Sequence, residues 1–107
     1  MPHFTIQQQE SGTWYYQLLT HQGHILLTGT PREFKQSCQG EILSVRMNSK
    51  YKENYETNSS SKKKYSFTLR SMGSNKVIGN SEMFNSQEDC QKAINLIRKE
   101  AETAEIK

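Results

Sequence analysis

The run from Tyr65 to Arg98 decides the fold. It reads Tyr65-Ser66-Phe67-Thr68-Leu69, a turn around Gly73, Val77-Ile78-Gly79, a Ser-rich joint, then Cys90-Gln91-Lys92-Ala93-Ile94-Asn95-Leu96-Ile97-Arg98. Tyr65, Phe67 and Leu69 alternate with polar residues, the period of a half-buried strand. Gly73-Ser74-Asn75 is turn chemistry, and Val77-Ile78-Gly79 returns as a second strand. Ser86-Gln87-Glu88-Asp89 resembles a capping box with Asp in place of Glu. Cys90, Ala93, Ile94, Ile97 and Ala101 then recur at the spacing of one apolar helical face. The tail from Lys99 to Lys107 is expected to extend that helix before fraying.

The same order of signals stands upstream. Phe4-Thr5-Ile6-Gln7 alternates, Glu10-Ser11-Gly12 turns, and Trp14, Tyr16 and Leu18 share one strand face. His21-Gln22-Gly23-His24 is a hairpin turn, and Ile25-Leu26-Leu27-Thr28 a third strand. Thr30-Pro31-Arg32-Glu33 reads as a helix start, with Thr at the cap, Pro in the first turn and Glu three residues on. Phe34, Cys38, Ile42 and Val45 continue as one apolar face, and Asn48-Ser49 ends it. Asn54 to Asn58 is a weaker strand, and Ser59 to Lys64 a polar turn.

The halves superimpose. Phe4, Trp14, Tyr16 and Leu18 correspond to Tyr55, Tyr65, Phe67 and Leu69, each 51 residues later. Ile25, Cys38, Ile42 and Val45 correspond to Val77, Cys90, Ile94 and Ile97, each 52 residues later. One residue has entered the second hairpin turn, where insertions disturb least. The expectation is an α+β fold: a single domain over residues 1–107, made as a tandem repeat of two β3-α units (1–49 and 50–107). The units share one antiparallel sheet with the helices packed on it. Arg32 falls opposite Phe84 and Phe34 opposite Ser86. The first helix is therefore expected to start about a turn early and to supply its aromatic from inside.

These residues resemble the YegP-like family of small uncharacterised proteins. The pattern is an aromatic strand ending in Leu, a Gly turn, an Ile/Val strand, an aromatic-x-Ser joint and a helix with Cys or Ala before Ile. Two copies span nearly the whole chain. Phe84-Asn85-Ser86 and Ala93-Ile94 fit it, whereas the first copy departs at Arg32 and at Gly40-Glu41. The resemblance implies two β3-α units in a common antiparallel sheet with the helices exchanged between halves. It implies no activity.

Composition narrows the function classes. The 107 residues suffice for one core. The apolar fraction is low at 33%, but five Tyr, four Phe and one Trp keep the chain out of the disordered class. No basic leader followed by an apolar run opens it, and no apolar run is long enough for a membrane helix. A soluble, cytoplasmic monomer with reduced thiols is the expectation.

The formal net charge is +3, and it is placed unevenly. Residues 1–48 are balanced, while 49–70 carry six basic side chains against two acidic ones. Lys62, Lys63 and Lys64 beside Tyr65, with Arg70 further on, form the candidate nucleic-acid contact, since lysines neutralise phosphates and aromatics stack on bases. Against that, Tyr65 corresponds to Trp14 and should face the core, and solvated lysines are ordinary in a turn.

Catalytic chemistry finds little support. Asp89, the one aspartate, belongs to a helix N-terminus. No nucleophile elbow, dinucleotide fingerprint or phosphate loop is present. Cys38 and Cys90 share one repeat position, which reads as a small buried side chain rather than a metal pair or reactive thiol. His3, His21 and His24 lack a nearby carboxylate or thiolate ligand. The reading is a non-enzyme with no catalytic, cofactor or metal residues, an interaction or accessory module. A protein partner at a sheet edge and weak nucleic-acid binding are its two forms.

Overall fold

A computed structural model describes residues 1–107. The first half lays down β1 (His3–Gln8), β2 (Trp14–Leu19), β3 (Ile25–Thr28) and α1 (Lys35–Asn48). The second lays down β4 (Tyr55–Ser59), β5 (Tyr65–Arg70), β6 (Val77–Asn80) and α2 (Gln87–Glu100), and ends in the short β7 (Glu105–Ile106). The order of strands across the one sheet is β4-β5-β6-β3-β2-β1-β7. The alternation read from the sequence is the alternation observed: Tyr16, Leu18, Phe67 and Leu69 are buried and their neighbours are not.

The halves meet at the centre of the sheet, where β3 and β6 run antiparallel through the pair Thr28–Asn80. Backbone pairing at this seam is scant, and side chains reinforce it. The Tyr16 hydroxyl reaches across to donate to the Ile78 carbonyl. Both β2–β3 and β5–β6 slip register at corresponding points, Leu18/Leu19 and Leu69/Arg70. Cys38, Ile42 and Val45 of α1 and Cys90, Ile94 and Ile97 of α2 enter one core with the strand residues.

Three expectations are corrected. First, α1 begins at Lys35 rather than at Pro31. Arg32 N–H donates to the Trp14 carbonyl at 2.6 Å and the Arg32 carbonyl accepts from Trp14 N–H at 2.7 Å, so these residues are held extended. Phe84 exchanges the same two bonds with Tyr65. Tertiary pairing thus overrides a local helix-start signal. Phe34 becomes the N-cap and is 61% exposed, so it supplies no core aromatic. Second, the tail turns once as a 3₁₀ helix (Ala101–Thr103) and then becomes β7. It pairs parallel with β1 (His3–Glu105, Phe4–Ile106), so the sheet is not wholly antiparallel. Third, the helices are not exchanged outright. α1 lies on β1 and β2 of its own half and reaches β6, and α2 lies on β5.

The N-termini of the helices differ. Ser86 Oγ accepts from Asp89 N–H at 3.0 Å, which caps α2. α1 has no side-chain cap and no acidic residue in its first turn. Phe34→Asp should therefore stabilise the protein by about 1 kcal/mol, since the carboxylate supplies both the missing acceptor and a favourable charge. A higher urea midpoint with an unchanged slope is the expected reading; an unchanged midpoint would count against it.

Candidate functional site

β4 lies at one margin of the sheet and is paired on one side only, with β5. Its register fixes which backbone groups stay free. Tyr65 exchanges bonds with Phe84, and Phe67 accepts from Ser81 N–H at 2.9 Å and donates to Ser81 Oγ at 2.8 Å. Tyr65 and Phe67 thus turn their backbone polar groups toward β6, and Ser66 and Thr68 turn theirs toward β4. The residues facing those two are Asn58 and Glu56. Thr57 and Ser59 therefore direct N–H and C=O outward, as Tyr55 does its carbonyl; the Tyr55 N–H is taken by the Lys52 carbonyl. Glu56 to Ser59 are all exposed.

The opposite margin is closed by the chain itself. Lys107 N–H donates to the Phe4 carbonyl at 2.8 Å, and Arg46 Nη2 donates to the Ala104 carbonyl at 2.6 Å. Ala101 and Ala104 are buried beneath this strap. Phe4 corresponds to Tyr55 and Ile6 to Thr57. The covered edge is thus the apolar one and the open edge the polar one, as solvent contact favours.

A groove runs between β4 and α2. Two adjoining hollows of about 250 and 340 Å³ share Thr57 and Gln91, with Tyr65 and Cys90 on the floor of one and Tyr55 and Ile94 on the floor of the other. Arg98 closes one end, its Nε donating to the Lys50 carbonyl at 3.2 Å. The Tyr55 hydroxyl is spent on the Ser49 carbonyl at 2.6 Å, and burial holds its pKa well above the ordinary 10.0. Burial also pushes the Cys90 thiol up. Burial first, then the Glu41 charge, does the same to Cys38. Neither sulfur is poised as a thiolate near neutrality.

The basic residues do not converge. Lys62, Lys63 and Lys64 are exposed in the β4–β5 turn, with Lys63 in the left-handed region at φ 57°. Ser60 Oγ accepts from the Lys62 and Lys64 amides, and Lys64 Nζ is bonded to Asn85 Oδ1. Arg70 ends β5, about 17 Å along the strand from its start, and pairs with Glu56 at 3.4 Å and the Asn75 carbonyl at 3.0 Å. Tyr65 is half-buried against the core and lines the groove beside α2 rather than the lysine turn. His3 lies in β1 and His21 and His24 in the β2–β3 turn; no three His, Cys, Asp or Glu side chains gather at metal-binding range. No helix is long and apolar enough to cross a membrane.

The sequence pointed to an edge without saying which one is open. β7 decides that, and its only local signal is the buried pair Ala101 and Ala104 ahead of Ile106.

This frame defines a class: a small α+β chain with both helices on one seven-stranded sheet. A family model described as a domain of unknown function (DUF1508) matches residues 60–107. The UPF0339 protein YegP of Yersinia pestis is 28% identical over 105 residues, covering 98% of this chain and 93% of that protein. A UPF0339 protein from the ptx operon 5' region of Stutzerimonas stutzeri is 25% identical over 103 residues, covering 96% and 92%. The solution NMR structure of YegP from E. coli, a protein of unknown function, superimposes with a TM-score of 0.90 at 24% identity, over 99% of this chain and 90% of that one. A UPF0339 protein from Shewanella oneidensis gives 0.91 at 22% identity, over 99% and 89%. The sequence matches are to the same YegP-like proteins that the residue pattern resembles, and the two solved structures share the fold.

Proposed function

We propose that this protein is a non-catalytic interaction module that takes an extended segment of a protein partner as an additional strand alongside β4. The observation that carries the reading is the contrast between the two margins. One is closed by the chain's own tail, whereas the outward groups of Tyr55, Thr57 and Ser59 stay open beside a groove. Backbone bonds would give such a partner affinity, and the Tyr55–Ile94 and Tyr65–Cys90 hollows would select its alternate side chains. We further read the chain as a duplicated β3-α unit, residues 1–49 and 50–107. Each half supplies the other's sheet neighbour, so the chain acts as a monomer in the cytoplasm.

Thr57→Pro tests the site. It removes an outward donor while sparing the Glu56 and Asn58 bonds to β5, so the fold should survive. A partner captured by the parent protein should protect the Thr57 and Ser59 amides from hydrogen exchange and be lost from Thr57→Pro. Equal capture by Thr57→Pro, or no partner, would sink the proposal. The alternative is nucleic-acid contact through Lys62, Lys63 and Lys64, with Arg70 remote from it. Exposure of the lysine turn favours it. Heparin retention that falls with salt and disappears on replacing the three lysines by Ala would select it.

A further inference from the structure

A second cleft lies where α1 meets the β5–β6 turn. It encloses about 380 Å³, walled by Arg32, Ser37, Glu41, Ser44 and Lys76, with Gly40 on the helix side. The same positions 52 residues on are apolar at the three that matter most. Arg32, Glu41 and Ser44 stand where the second half has Phe84, Ala93 and Leu96. There Phe84 stacks on Phe67 at 6.3 Å, Ala93 is core, and Leu96 packs against the core. The backbone needs no charge here, because Phe84 bridges to Tyr65 as Arg32 bridges to Trp14. A buried ion pair costs desolvation that an apolar pair avoids, so it adds nothing the fold requires.

The pair is also incompletely used. Arg32 Nη2 meets Glu41 Oε2 at 3.0 Å, and Glu41 is 8% exposed. Arg32 Nε and Glu41 Oε1 are buried without a partner. A buried unpaired donor and a buried unpaired acceptor within one ion pair are costly and uncommon. Lys76 is exposed and joins no ion pair. Gly40 leaves open space where a Cβ would stand, although glycine inside a helix is unfavourable and no neighbour demands it.

We propose that this cleft binds a small organic anion carrying a hydroxyl or amino donor beside its carboxylate or phosphate. Arg32 and Lys76 outnumber Glu41, so the wall carries one net positive charge. Anionic oxygens go to the guanidinium and the ammonium, with the Ser37 and Ser44 hydroxyls as further donors. The neighbouring hydroxyl or amine donates to Glu41 Oε1, which a small turn of the half-exposed Arg32 side chain uncovers. The donor requirement separates this class from simple anions.

Amide NMR titration tests it with four probes: lactate and glycerol 3-phosphate, which carry the donor, and acetate and inorganic phosphate, which lack it. Saturable shifts confined to residues 37–44 and 71–78 are expected with at least one donor-bearing probe, about tenfold stronger than with its donor-less counterpart. The carboxylate and phosphate arms tell the two anion types apart. The double variant Arg32→Phe/Glu41→Ala transplants the second half's pair. It should melt no lower than the parent and lose the shifts. Should it fail to fold, Lys76→Ala, on an exposed side chain, decides: binding should fall about tenfold with melting unchanged. No saturable shift from any probe, equal response to acetate and phosphate, or binding that survives these substitutions overturns the proposal.

Discussion

Gly29→Ala should destabilise the protein by roughly 3 kcal/mol, the upper end of the overpacking range. A Cβ on Gly29 would stand 2.2 Å from Tyr16 Cε2 and 2.3 Å from Cδ2. The ring cannot simply step aside. It is fully buried, meets Phe4 edge-on at 6.1 Å, and is tied by its hydroxyl to the Ile78 carbonyl. On its far side Gly79 leaves the room the hydroxyl occupies, since a Cβ there would lie 2.6 Å from it. Tyr16 is therefore clamped between two glycines across the β3–β6 seam. Urea unfolding should show a lower midpoint with an unchanged slope. Tyr16→Leu alone should cost stability by emptying that space and orphaning the Ile78 carbonyl. Placed on Gly29→Ala it should cost less than it does alone, a coupling on the order of 1–2 kcal/mol. Strict additivity would show that the ring is not what the new methyl meets.

How much of this was legible follows from where the signals live. Strands β2 and β5 were plain in the sequence because Tyr16/Leu18 and Phe67/Leu69 bury alternate side chains, and burial writes a period of two. The start of α2 was plain because Ser86 does locally what a cap does. The start of α1 is hidden for the opposite reason: Thr30-Pro31-Arg32-Glu33 is a sound local signal, defeated by two backbone bonds between Arg32 and Trp14. Only the correspondence with Phe84 carried that information, and it reads correctly once Arg32 is allowed to stand in a strand bridge without an aromatic. The clamp on Tyr16 left no mark, since a glycine in sequence does not say which ring needs its missing Cβ. The open edge was half legible. The polarity of Glu56-Thr57-Asn58 fits a margin strand, but its being the free margin depends on β7, which at two residues is too short to show any period.

Deleting Ala104 to Lys107 should open the other margin and change the protein's behaviour most visibly. The strap gives β1 a paired backbone through the Lys107–Phe4 bond and the two β7 pairs, and gives Arg46 an acceptor in the Ala104 carbonyl. Losing these bonds, one of them to a charged donor, should cost about 2–4 kcal/mol. Because Phe4 directs its carbonyl outward, Ile6 and Gln8 do the same by alternation. The freed edge therefore presents Phe4 and Ile6, where β4 presents Tyr55 and Thr57. An apolar open strand invites pairing with its like. The truncated chain should thus self-associate in a concentration-dependent way on size exclusion, while the full chain with its polar β4 margin does not. Ile6→Pro in the truncated chain removes an outward donor and spares the ladder to β2, so it should restore the monomer. If the truncated chain stays monomeric and melts as before, β7 is not a cover. The contrast between a closed apolar edge and an open polar one would then no longer explain why β4 is the edge left open.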